Sequence, residues 1–85
     1  MKLDERTLRL IAVGASITAN CQPCLQINVA KALEGGANEQ EIADAIQVGK
    51  MVRQGAASKM DKFASSLDYA ALSANAANGE CGCGS

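Results

Sequence analysis

Ala19-Asn20-Cys21-Gln22-Pro23-Cys24-Leu25 interrupts an otherwise helical pattern, and its reading decides how the rest of the chain is divided. Before it, Leu8, Ile11, Ala12, Ala15 and Ala19 recur at helical spacing, and Leu10, Val13 and Ile17 widen the stripe. Asp4 is a good N-cap, so a first helix is predicted from Asp4 to about Thr18 or Ala19. Glu5, Arg6 and Arg9 form its polar edge. Pro23 stops that pattern, yet a proline is tolerated in a helix's first turn, where its missing N–H is not needed. A second helix is therefore predicted from about Gln22 to Leu33, with Gly35 and Gly36 supplying a left-handed stop.

Farther on, Asn38-Glu39-Gln40-Glu41 carries a start signal: Asn38 can cap, and Glu41, three positions later, can reach back in a capping box. Ile42, Ala45, Ile46, Gly49, Val52, Ala56, Met60, Phe63 and Leu67 then repeat close to every 3.6 residues. The phase survives Gln54-Gly55, which allows one long helix; a glycine inside a helix costs about 1 kcal/mol against alanine, so two helices meeting there are the preferred of the two readings. After Asp68 the signal fades. Tyr69 to Leu72 reads as a brief extension, and Ser73 to Ser85 as a flexible Ala/Asn/Gly-rich arm ending in Cys81-Gly82-Cys83-Gly84-Ser85. The expected organisation is a helical core over residues 1–67 and an arm over 68–85. The fold class is all-α, with three to five helices.

Eighty-five residues make one domain, with little stability to spare at this size. Aromatics are limited to Phe63 and Tyr69, and alanine dominates the helix faces. Burying a Leu or Ile is worth roughly 1.5–3 kcal/mol and an alanine far less. A homo-oligomer sharing apolar helix faces is the expected remedy. Eight basic and nine acidic residues nearly cancel and are scattered singly, so nucleic acid is excluded as an expected partner. Met1-Lys2-Leu3-Asp4-Glu5-Arg6 is too charged for a signal peptide, and no apolar run reaches membrane-spanning length. The expected location is the cytoplasm, where cysteine pairs serve catalysis, redox sensing or metal binding rather than scaffolding.

Cys21 and Cys24 span a helix's first turn. Residues three apart lie on one helix face with Cβ atoms about 5–6 Å apart, near the range a disulfide needs. Unsatisfied N–H groups at the helix start favour thiolate over thiol. A redox couple is one reading; two small buried hydrophobes or half of a zinc site are the others. Zinc is the weaker, because structural sites want four Cys or His ligands and the chain has no histidine. The absence of strand patterns around the motif excludes a thioredoxin fold.

Leu3 to Val13, Ala19 to Leu25, Ala32-Leu33-Glu34-Gly35-Gly36-Ala37 and Glu41-Ile42-Ala43-Asp44-Ala45-Ile46 together resemble the core of the carboxymuconolactone decarboxylase family, in its alkylhydroperoxidase D-like branch. The resemblance covers residues 3–67. It implies an all-α domain assembling as homo-oligomers, commonly trimers or hexamers; no cofactor and no bound metal are expected. It also implies a dithiol that reduces hydroperoxides: Cys24 attacks the peroxide, and Cys21 resolves the sulfenic acid into a disulfide. The family's true decarboxylases lack the cysteine pair, so lactone decarboxylation is not expected here.

Two positions depart from the peroxidase pattern. A histidine is expected four residues after the second cysteine, where this chain has Asn28, and a glutamate twelve residues before the first, where it has Arg9. Asparagine hydrogen-bonds but does not relay a proton at neutral pH, so peroxidase activity does not carry over on these residues alone. Arg9 is either a fixed charge that stabilises a thiolate or a surface arginine with a solvated head. Cys81 and Cys83 are secondary thiols that suit disulfide exchange, a soft-metal clip or an incidental tail. The leading expectation is a thiol-disulfide oxidoreductase acting on a peroxide or a disulfide-bearing partner. The alternatives are a binding module for a thiophilic metal and a non-catalytic oligomeric scaffold.

Overall fold

The computed structural model describes residues 1–76, with side chains placed to Ser73. Four helices follow one another: α1 (Glu5–Thr18), α2 (Gln22–Glu34), α3 (Glu39–Ser65) and α4 (Tyr69–Ala76). No strand occurs among the described residues, so the all-α class holds.

Local chemistry sets the helix starts. Asp4 caps α1 by accepting the Thr7 N–H at 2.7 Å. Asn38 accepts the Glu41 N–H at 2.8 Å, and the Glu41 carboxylate accepts the Asn38 N–H at 3.0 Å, which completes the predicted capping box of α3. These bonds hold both carboxyls below their ordinary range. For Asp4 the Thr7 N–H is the main cause; for Glu41 it is the Asn38 N–H, followed by the bond from Arg6.

The helix ends share one device. After α1, the Asn20 N–H donates to the Ile17 carbonyl and the Cys21 N–H to that of Ser16, at 3.1 and 3.0 Å. After α2, Gly36 and Ala37 repeat the pattern onto Leu33 and Ala32. Both are Schellman turns, and each needs a left-handed residue: Gly36 (φ 98°) and Asn20 (φ 56°). Glycine takes that conformation freely, and asparagine is among the few others that tolerate it.

α1 lies against both α2 and α3. Val13, Ala32, Ala37 and Ile42 form the buried core, with Leu10, Leu25, Val29, Ala45 and Ile46 packed around it. α1 and α3 cross where two glycines meet. A Cβ on Gly14 would sit 3.0 Å from the Ala45 carbonyl oxygen; one on Gly49 would overlap the Gly14 carbonyl and lie 2.8 Å from the Ile17 Cβ. Thr18 Oγ1 donates to the Gly49 carbonyl at 3.1 Å, and Arg6 pairs with Glu41 near the start of α3.

α3 corrects the expected division at Gln54-Gly55, since it runs unbroken through Gly55 to Ser65. A break would forfeit several backbone hydrogen bonds, and Val52-Arg53-Gln54-Gly55-Ala56-Ala57 offers no Ser, Thr, Asp or Asn to cap a new start. A glycine penalty of about 1 kcal/mol is smaller than that loss. Tyr69 to Leu72, read as a brief helical extension at the start of the arm, are helical and belong to a separate helix, α4. Asp68 Oδ1 accepts the Ala70 and Ala71 N–H groups, and the Ala-rich composition carries the helix past Leu72 to Ala76. The rest of that arm, with Cys81 and Cys83, lies outside the described residues. No described helix is long and apolar enough to cross a membrane.

Candidate functional site

The turn between α1 and α2 builds the site. Its backbone is fixed by the Schellman bonds, so Cys21 arrives at the N-cap of α2, with Pro23 in the first turn and Cys24 three positions on. The two cysteines form a disulfide, with Cα atoms 5.3 Å apart, within the ordinary range for such a bridge.

Their surroundings differ. Cys21 is half-buried, and its Sγ accepts the Cys24 N–H at 3.3 Å, in the place that a serine or aspartate side chain takes at other helix starts. When the bridge opens, that N–H and the positive end of α2 favour the Cys21 thiolate. Cys24 is exposed and reachable from solvent. A pocket of about 200 Å³ opens beside Cys21, lined by Ser16, Ile17, Asn20, Gln22, Leu25 and Arg53.

Arg9 and Asn28, the two positions that depart from the peroxidase pattern, meet each other. Arg9 Nη1 lies 3.5 Å from Asn28 Oδ1, and Arg9 Nε is held by Glu5 at 2.7 Å. Asn28 Nδ2 donates to Ser16 Oγ at 3.3 Å, and Ser16 donates to the Ala12 carbonyl at 2.7 Å. A polar chain thus runs Glu5–Arg9–Asn28–Ser16 from the α1 surface to the wall of the Cys21 pocket. Ser16 is buried, and this chain satisfies its hydroxyl. Neither Arg9 nor Asn28 hydrogen-bonds a sulfur; the cation that lines the pocket is Arg53.

Ser16, Asn20 and Arg53 were not singled out in the sequence. For Arg53 a signal existed. It follows Gly49 by four residues and Ile46 by seven, so it takes the next inward place of α3, where an apolar residue would be ordinary. Among the described residues, no three of His, Cys, Asp or Glu gather as metal ligands.

The model of the carboxymuconolactone decarboxylase family matches residues 1–64. The chain belongs to this family. Among curated proteins, "Uncharacterized protein 4 in cox locus" of Paracoccus denitrificans is 40% identical over 55 residues, covering 65% of this chain and 50% of that protein. The chain therefore spans about half the length of the curated relative it matches. No solved structure matches. The carboxymuconolactone decarboxylase family includes both decarboxylases and alkylhydroperoxidases, so membership does not choose the reaction. A Cys21–Cys24 bridge is compatible with the redox side of the family.

Proposed function

We propose that the protein is a thiol-disulfide oxidoreductase of the alkylhydroperoxidase D-like type, working as a homo-oligomer. One observation carries the reading: a disulfide across the first turn of α2, with one sulfur exposed and the other capping the helix beside a pocket. The two cysteines then have separate tasks. An incoming thiolate attacks exposed Cys24, the Cys21–Cys24 bond breaks, and Cys21 leaves as a thiolate held by the Cys24 N–H. A leaving thiol of lowered pKa leaves faster, so the capping interaction favours this direction of attack.

In the reduced protein the Cys24 thiolate attacks the terminal oxygen of a hydroperoxide, forming an S–O bond. The O–O bond breaks, an alcohol departs with one proton, and Cys24 becomes a sulfenic acid. The Cys21 thiolate attacks that sulfur, water is released, and the disulfide returns. The Arg9–Asn28 pair stands where a proton relay would be, so the proton reaching the leaving oxygen comes from solvent. Disulfide exchange needs no such relay.

Assembly is supported by the outer surface of α3. Every residue from Gln54 to Ser66 is exposed, including Met60 and Phe63. The radius of gyration is 18.5 Å, against about 12 Å for a compact chain of this length. Apolar surface on this scale calls for a neighbour.

Turnover assays of Cys24→Ser and Cys21→Ser with a thiol reductant and either a disulfide or an alkyl hydroperoxide test the reading. Both variants lose steady-state turnover, and Cys21→Ser accumulates a mixed disulfide or sulfenic acid on Cys24, visible by intact-mass spectrometry. Undiminished turnover in Cys24→Ser, or none in the parent protein with either substrate, removes it.

A further inference from the structure

Arg53 is half-buried at the end of the Cys21 pocket, and among the described residues no carboxylate pairs with it. Its Nη1 donates to two neutral oxygens, Asn20 Oδ1 at 2.9 Å and the Ile17 carbonyl at 3.3 Å. Among the described residues, the ion pairs are Arg6–Glu41 and Arg9–Glu5, so Arg53 is left without a counter-charge. Those acceptors fix the guanidinium, leaving its other N–H groups for a ligand. An aimed, part-desolvated guanidinium prefers a planar anion that it can grip with two parallel bonds, which is the geometry of a carboxylate.

The two Schellman turns show that Asn20 is used for its side chain. At the equivalent place after α2 the chain has Gly36, the residue best suited to positive φ. At Asn20 it has a residue less suited to that backbone, and the side-chain oxygen so gained holds Arg53. Gly49 completes the arrangement. Without a side chain it lets α3 touch α1, and this contact brings Arg53, one turn later, to the α1–α2 turn.

We propose that Arg53 is a specificity-determining residue of the dithiol site and that it selects small thiols and disulfides bearing a carboxylate a few bonds from sulfur. This deepens the thiol-disulfide reading and rests on it. The carboxylate docks on Arg53 while the ligand's thiolate attacks Cys24 Sγ; the Cys21–Cys24 bond breaks, and Cys21 leaves as a thiolate. A second thiolate of the same kind attacks the ligand sulfur of the mixed disulfide and releases Cys24. Two thiolates are oxidised to one carboxylated disulfide, two electrons reduce the protein, and solvent supplies the protons its thiolates take up. Arg53 and Cys21 line one pocket of about 200 Å³, and Cys24 is bonded to Cys21 at its edge.

The test pairs two probes, 3-mercaptopropionate and 3-mercaptopropionamide, compared at equal thiolate concentration in the rate of reducing the oxidised protein. In the parent protein the carboxylate probe is expected to be about tenfold faster, with the gap closing in high salt. Arg53→Gln brings the ratio near one, Arg53→Lys restores part of it, and Asn20→Gly, which keeps the turn but frees the guanidinium, gives an intermediate ratio. A parallel titration of the oxidised protein with 3-(methylthio)propionate, which has no thiol, follows the Asn20 and Cys21 amide resonances; they shift in the parent and not in Arg53→Gln. Equal rates for the two probes in the parent, or an unchanged ratio in both Arg53 variants, overturn the role of Arg53 and leave the redox reading standing. Amide shifts with no reduction by either probe overturn the redox reading and leave the carboxylate site. Neither shifts nor reduction overturns both.

Discussion

The two halves of α3 belong to one helix and live in different surroundings. From Glu39 to Arg53 it lies along α1, buries Ile42 and Gly49, and delivers a guanidinium to the dithiol pocket. From Gln54 onward every residue to Ser66 is exposed, and α4 packs against none of the other helices. The first half is held by tertiary contact. Among the described residues, hydrogen bonding and helix propensity alone hold the second within one chain, and isolated helical segments of that length are marginal in water. A helix can therefore carry a site at one end and an unsatisfied surface at the other.

Two glycines, one in each half, give the sharpest way to break this contrast. Gly49→Ala puts a methyl group into backbone that cannot move aside, and is expected to cost about 3 kcal/mol in urea unfolding. A loss below about 0.5 kcal/mol would mean that the α1–α3 crossing is looser than described. Next in size is Phe63→Asp, a charge on the exposed stripe. It is expected to raise the dissociation constant of the proposed homo-oligomer at least tenfold by sedimentation while leaving far-ultraviolet circular dichroism intact. An unchanged sedimentation profile would take Phe63 out of the contact. The smallest effect has the opposite sign. A Cβ at Gly55 meets nothing within 4 Å, so Gly55→Ala is expected to stabilise by about 0.5–1 kcal/mol. Destabilisation there would place a neighbour's backbone against Gly55.

Much of this was legible because it is local. Asp4, Asn38 and Glu41 announce helix starts through bonds spanning three residues, and Gly36 announces a stop through its own backbone freedom. The Cys-x-x-Cys spacing on a helix start led directly to a closable dithiol, and family spacing led to Arg9 and Asn28. Continuity through Gly55 was misjudged because a per-residue propensity was weighed without the cost of ending a helix that has no cap available. Arg53 and Asn20 were missed for a different reason. Their bond joins residues 33 apart in sequence, and it forms because Gly14 and Gly49 let two helices touch. No local pattern encodes such a meeting.

The cysteine bridge closes a ring only four residues long, within a turn that the helix already holds in place. On chain-entropy grounds such a short cross-link restrains the unfolded chain by about 2 kcal/mol, well below what a bridge across the domain would give. Neither the Schellman bonds nor the α1–α3 crossing uses a cysteine sulfur. On the proposed redox reading, the protein takes up and releases electrons without breaking a contact of its scaffold.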